Sequence, residues 1–191
     1  MEKVNGCYML FFLILFCSLS NSFAQENVII KKGLLRTQST LSPSYNFTSK
    51  NSYFYLHGAF EAYLESSVSI AGETYYYLGS LDSGNELFEF NHAVFFGASK
   101  HFVSKNNDLY VGIQPGVSIT KIRNILESDD HQIGANPLFS GVMGYNYFVS
   151  KYFHFFIEAR LIAGQHHYDM YQNLSEARIS AGLGLNINSL K

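Results

Sequence analysis

Six side chains carry most of the chemistry this sequence could do away from its polar links: Arg36, Glu61, Glu73, Glu158, Arg160 and Arg178, with His57 and His154 beside them. Carboxylates and guanidiniums brought into one confined interior can do two things. They can neutralise one another as buried ion pairs, since a lone buried charge is costly and a paired one tolerable. Alternatively, by exchanging partners they can open a narrow path for ions. The spacing predicts that Arg178 reaches Glu158 across two neighbouring strands and that Arg160 reaches a second carboxylate. A structural plug is the favoured expectation and a gate the alternative.

Other chemistries fit less well. His154 and Glu158 have the spacing of a metal-ligand pair on a helix, but this stretch alternates like a strand. Four residues at ~3.3 Å each separate them by about 13 Å, too far to share one ion. His166 and His167 point to opposite faces for the same reason. His131 beside Asp129 and Asp130 is a flexible acidic stretch, better read as solvated than as a cation site. No histidine at 57, 92, 101, 131, 154 or 166 has a serine two positions on, which a base-activated nucleophile on one strand face would use. Asp82-Ser83 lacks a partnering histidine in the first outer link, and Gly182-Leu-Gly184 lacks the strand-to-helix setting of a phosphate loop. The expectation is no catalytic residue, no metal and no cofactor.

The elements that must hold these side chains are strands. Along Leu109 to Thr120, Leu109, Val111, Ile113, Pro115, Val117 and Ile119 alternate with Tyr110, Gly112, Gln114, Gly116, Ser118 and Thr120. A period of two is the signature of a strand with two unlike faces. Pro115 removes a ladder donor, and a local bulge is expected there. The same alternation runs through Tyr53–Glu65, Phe153–His167 and Arg178–Asn188, and less cleanly through 34–47, 67–78, 88–102 and 137–148. That makes eight strands. Links near 48–52, 65–67, 79–87, 103–108, 123–136, 149–152 and 168–176 alternate, apart from a short first one, between long polar loops and short turns, the pattern of a transmembrane β-barrel.

The composition agrees. Of 191 residues, 47% are hydrophobic and only 15% charged, yet the mean hydropathy is +0.00. Disorder is excluded by that much apolar surface, and a net charge of -2 gives no footprint for nucleic acid. Residues 1–24 read as a signal peptide: Lys3, the apolar run Tyr8 to Phe16, then Ser22-Phe23-Ala24 before a mature start at Gln25. Both cysteines, Cys7 and Cys17, fall inside it. The remainder, 25–191, is one barrel domain without a window of 18 apolar residues for a helical span.

A soluble barrel would turn its apolar face inward and its polar face to water. Here the polar faces are Gly, Ser, Thr, Asn, Gln and Tyr with isolated charges, while lysines and acids gather in the links. That is the lining of a narrow lumen, with aliphatics turned to hydrocarbon. Aromatics near strand ends (Tyr53, Tyr75 to Tyr77, Phe102, Tyr110, Tyr147, Tyr152, Phe153) suit girdles at the membrane interfaces.

Several segments carry a family resemblance: Gly33-Leu-Leu-Arg-Thr-Gln38 with Ser42-Pro-Ser-Tyr45, Tyr55-Leu-His-Gly58, Asn91-His-Ala-Val-Phe-Phe-Gly97, Gly112-Ile-Gln-Pro-Gly-Val-Ser118 and Tyr152-Phe-His-Phe-Phe-Ile-Glu-Ala-Arg160. Through them the chain resembles the small outer-membrane β-barrel proteins of Bacteroidetes-type bacteria, OmpA/OmpX-like and often given a porin-family label. The resemblance implies an all-β, eight-stranded antiparallel up-and-down transmembrane barrel in the outer membrane, without implying a reaction. Two roles follow as expectations. One is a structural barrel presenting loops 79–87, 123–136 and 168–176 to envelope or extracellular partners. The other is a narrow channel gated by the inward Glu/Arg network. A lipid A-modifying enzyme is a remote third.

Overall fold

The structure is a computed structural model that describes residues 30–82, 87–123, 133–168 and 171–188. The expected signal peptide, Ser83 and the Asp129, Asp130, His131 stretch lie outside the described residues. Nine strands follow in order: β1 Leu34–Asn46, β2 Ser52–Glu65, β3 Val68–Ser80, β4 Phe88–Ser104, β5 Asn107–Ile122, β6 Gly134–Phe148, β7 Phe153–His166, β8 Gln172–Asn173 and β9 Glu176–Asn188. Each long strand pairs antiparallel with the next, and β9 pairs with both β7 and β1, closing a barrel of eight. Two-residue β8 pairs only with the end of β7. The eight expected strands are all present, most extended by one to three residues at their ends.

Alternation decides which side faces in. Along β6, burial switches at every residue from Gly134 to Phe148. The exposed side is the apolar one, with Phe96 62%, Leu161 63% and Ile113 60% accessible, whereas Arg160 and Arg178 are each 1% accessible. This is inside out for a protein dissolved in water, where large apolar patches are rare and buried charges rarer. Hydrocarbon is the solvent that suits such a surface, and closure leaves no unpaired strand edge within it. A 14-residue strand such as β7 spans about 46 Å, or about 35 Å along the normal at a ~40° tilt, enough for an apolar band ~25 Å tall. No helix among the described residues is long and apolar enough to cross a membrane.

Links 66–67, 105–106 and 149–152 are turns at the end where β1 begins and β9 finishes, Leu34 standing opposite Asn188. Residues 47–51, 81–82, 87, 123, 133, 167–168 and 171–175 lie at the other end. The link 47–51 is held by Asn46, whose Oδ1 accepts the amides of Thr48 at 3.0 Å and Ser49 at 2.9 Å.

Three local expectations are corrected. Pro115 causes no bulge: it stands opposite Phe139 in an unbroken β5–β6 register. Towards β4 the ladder passes from Phe95↔Gly116 to Ala98↔Ile113 without a shift, two rungs being left out beside the missing donor. Gly97 sits in that gap, where a Cβ would lie 2.3 Å from the Ile113 carbonyl oxygen, so only glycine fits. Secondly, Tyr53, Tyr75, Tyr77 and Tyr110 are buried in the lumen and belong to no girdle, because they share the parity of the polar face. Tyr76, Phe102, Tyr147, Tyr152 and Phe153 do face outward. Thirdly, Asp108 and Glu176, assigned by sequence to links, are inward residues of β5 and β9.

Candidate functional site

All six sequence-predicted charges are buried inside the barrel, along with His57 and His154. They form a column of three groups stacked along the lumen. At the turn end, Arg36 of β1 lies directly across the ladder from Glu61 of β2, and the two form an ion pair. His101 of β4 joins them, with Nε2 3.1 Å from Glu61 Oε1 and Nδ1 2.9 Å from Asp108 Oδ1. Asp108 also accepts from Tyr63 Oη at 2.7 Å and Asn146 Nδ2 at 3.0 Å, and lies 3.5 Å from Arg36 Nη1.

Arg160 of β7 organises the middle group. Its Nη2 is 2.5 Å from Glu73 Oε2 of β3 and 3.4 Å from Glu158 Oε1. Its Nη1 donates to Gln114 Oε1 at 2.9 Å and to Ser140 Oγ at 2.7 Å, and its Nε donates to Tyr75 Oη at 3.2 Å. Glu73 accepts further bonds from Gln114 Nε2 at 2.8 Å and His57 Nε2 at 3.0 Å. Glu158 accepts from Tyr110 Oη at 2.7 Å. Arginine suits this position because its planar fork serves several acceptors at once.

Near the loop end, Arg178 pairs with Glu176, two residues away on β9. Its guanidinium lies 3.9 Å from the Tyr55 ring centroid and 4.3 Å from that of Tyr75. Arg178 therefore does not reach Glu158 as the spacing predicted. The β7–β9 register sets Arg178 opposite Arg160 and Glu158 opposite Ser180, and two like charges face to face turn apart. Arg160 does reach a second carboxylate, Glu73.

The sequence reading missed His101, Asp108 and Glu176 as members of the column. A usable signal existed: Asp108 shares the parity of Tyr110 and Gln114, and Glu176 that of Arg178. Counting the column gives three arginines against five carboxyl groups (Glu61, Glu73, Asp108, Glu158, Glu176), with His57 beside Glu73 and His101 between Glu61 and Asp108.

Two other chemistries are within reach of these groups. Ligand atoms of His57, Glu73 and Glu158 lie within 4.8 Å of one another, a spacing a metal could use. The guanidinium of Arg160 already stands where such a cation would sit, bonded to one carboxylate and beside the other. His154 takes no part, since it bonds Asn186 at 2.7 Å and Gln38 at 3.0 Å. At the turn end, Ser69, His101 and Asp108 stand in the order of a catalytic relay, with Ser69 Oγ 2.8 Å from His101 Nε2. Its electrostatics are wrong for an activated serine. Ser69 gives its proton to Glu61, the imidazole lies between two carboxylates, and Ser69 is fully buried.

Little space remains between the two groups nearer the turns. The cavity between the turn-end and middle groups, lined by Arg36, Glu61, Glu73, Tyr110 and Glu158 among others, measures about 10 Å³. That is room for about one water.

No family model matches the sequence, and no curated protein matches it. Solved structures do match in fold. The N-terminal β-barrel domain of Pseudomonas aeruginosa OprF has a TM-score of 0.57 at 16% identity, covering 82% of this chain and 99% of that one. The neisserial surface protein NspA has a TM-score of 0.60 at 9% identity, with 81% and 96% covered. The outer membrane protein OprG of Pseudomonas aeruginosa reaches 0.61 at 9% identity, with 83% and 98% covered. At such identities the likeness establishes the closed eight-stranded fold of outer-membrane barrels. It says nothing of a Bacteroidetes source or a porin label.

Proposed function

We propose that the chain is exported to a bacterial outer membrane and serves there as a non-enzymatic barrel that works through its surfaces. It would strengthen the envelope and present loops 79–87, 123–136 and 168–176 to partners. The observation that supports this reading is the packing along the lumen: three stacked ion-pair groups are joined by tyrosines, and between the turn-end and middle groups the cavity is only about 10 Å³. Eight strands enclose an interior narrow enough for side chains to fill. The purified protein in planar bilayers is expected to give no stable conductance steps at physiological salt. Steady, ohmic steps would overturn the plug.

The competing reading is a narrow channel gated by the same network, which draws support from ionisable groups running along the whole lumen. It requires Arg160 to release Glu73 or Glu158. On the gate reading, Glu158→Gln changes conductance; conductance equal to that of the parent protein counts against it.

A further inference from the structure

The charges outside the lumen are distributed unevenly between the two ends of the barrel. At the turn end the exposed charged residues described are Lys31, Lys32, Lys100, Lys105 and Lys151, against a single acid, Glu65. At the loop end Lys50, Lys121 and Arg123 are offset by Asp82 and Glu89, and Lys121 is paired with Glu89 at 2.7 Å. Among the described residues, one end is a collar of lysine and the other is nearly balanced.

The lysines are placed as a ring. Lys31 and Lys32 lead into β1, Lys105 forms the β4–β5 turn, and Lys151 sits in the β6–β7 turn. Lys100, on β4, donates to Ser67 Oγ of the β2–β3 turn at 3.0 Å. Two of the three hairpin turns, the entering chain and β4 beside the third turn thus contribute one or two each. Going round the barrel in the order β1 to β7 and β9, the three clusters (Lys31 and Lys32, Lys100 and Lys105, Lys151) are at least two strands apart, at about 4.8 Å per strand. They cannot converge on one small anion. A ring of positive charge fits a plane of negative charge.

Two further observations say what that plane is. Lys100 shares the outward parity of Phe96 and Phe102, both exposed on the apolar wall, so its stem lies on the hydrocarbon face with its ammonium at the edge. Lys151 lies 5.2 Å from the ring centroid of Tyr152, which is outward-facing among the exposed aromatics Tyr147, Phe153 and Phe102. Lysine interleaved with aromatic side chains at the limit of an apolar band is the arrangement that anchors a protein at headgroup depth. Among the described residues, Lys31, Lys32, Lys100 and Lys105 have no carboxylate within ion-pair distance.

We propose that this lysine collar binds the phosphodiester headgroups of anionic glycerophospholipids, such as phosphatidylglycerol, in the leaflet on the turn side. That leaflet faces the periplasm if the turns do, as in outer-membrane barrels. The inference rests on the membrane reading above and goes beyond it by assigning a lipid class and a leaflet. The collar fixes the depth and direction of insertion by electrostatics, independently of the plug.

The full chain, folded into phosphatidylcholine vesicles, tests this with spin-labelled phosphatidylglycerol and phosphatidylcholine as probes of the motionally restricted lipid shell. One lysine beside a charged surface is worth roughly a factor of five. The expected preference for the anionic probe is therefore about fivefold at low salt, falling towards one in 1 M NaCl, where screening acts within about 3 Å. The combined variant Lys31→Gln, Lys32→Gln, Lys100→Gln, Lys105→Gln, Lys151→Gln should lose the preference while still migrating as a folded barrel before boiling. The control Lys50→Gln, Lys121→Gln, Arg123→Gln should keep it. A shell with no preference in the parent protein, or a preference lost with the loop-end variant instead, overturns the collar. Retained binding of a soluble polyanion such as heparin without lipid preference would also overturn it, in favour of a polymer partner. Absence of any restricted shell would instead contradict the membrane reading itself.

Discussion

Removing the Arg160 guanidinium should be the most damaging single change in the lumen. Arg160→Met keeps an unbranched apolar stem but removes the guanidinium, whose carbon lies 4.8 Å from the Phe95 ring centroid. It deletes the ion pair to Glu73 and the bonds to Gln114, Ser140 and Tyr75, stranding two carboxylates beside a cavity of about 10 Å³, with room for about one water. Breaking a buried pair from one side costs about 3–5 kcal/mol, chiefly through the charge left behind. The reasoning makes a second demand: Arg160→Met combined with Glu73→Gln should recover about 2 kcal/mol relative to the sum of the single losses, because the stranded charge has gone. Arg160→Lys keeps charge and loses the fork, and should cost about 1–2 kcal/mol. The sequence has no tryptophan, so urea unfolding from lipid vesicles is best followed by the folded and unfolded gel bands before boiling. A loss below about 1 kcal/mol for Arg160→Met, or strictly additive losses in the double variant, would refute the claim that this pair organises the lumen.

The remaining expectations concern the lining of the same lumen. At Gly144 a Cβ would meet the Tyr110 ring at 2.3 Å, so Gly144→Ala must push Tyr110 from its bond to Glu158, at about 1–3 kcal/mol in the same unfolding assay. Gly141, outward-facing with nothing within 4 Å, is the control, and Gly141→Ala should change stability by less than about 0.5 kcal/mol. Ser69, fully buried and donating to Glu61, should not react with a fluorophosphonate probe in the folded protein. Labelling that is lost in Ser69→Ala would make the turn-end group an enzyme site after all.

Much of the fold could be read from the sequence because a strand's side-chain period is two, and one face must match its solvent. The parity of Glu61, Glu73, Glu158, Arg160 and Arg178 followed from the apolar residues between them. Parity does not give partners, however. Arg178 turned to Glu176 because the barrel register brought Arg160 opposite it, and register depends on where neighbouring turns close. Asp108 and Glu176 escaped notice because polar residues beside a turn look like loop. Extending the alternation of β5 and β9 by two residues places both in the lumen. The aromatics misled for a related reason: tyrosine suits both an interface and a buried hydrogen-bonded column, and only parity separates Tyr75 and Tyr77 from Tyr76. The relay order of Ser69, His101 and Asp108 comes from three different strands, so no local motif could announce it.

The central claim is that the apolar face meets lipid and the charged face is sealed inside. The chain from Gln25 onward contains no cysteine, so single cysteines report cleanly. Leu161→Cys and Ile113→Cys point outward at mid-strand, and Ser140→Cys points inward beside Arg160. In vesicles, the account predicts that probes at the outward positions are quenched by brominated acyl chains and shielded from a water-soluble maleimide, while the inward cysteine is reached by neither. Rapid reaction of positions 161 and 113 with the water-soluble reagent, without acyl-chain quenching, would contradict it.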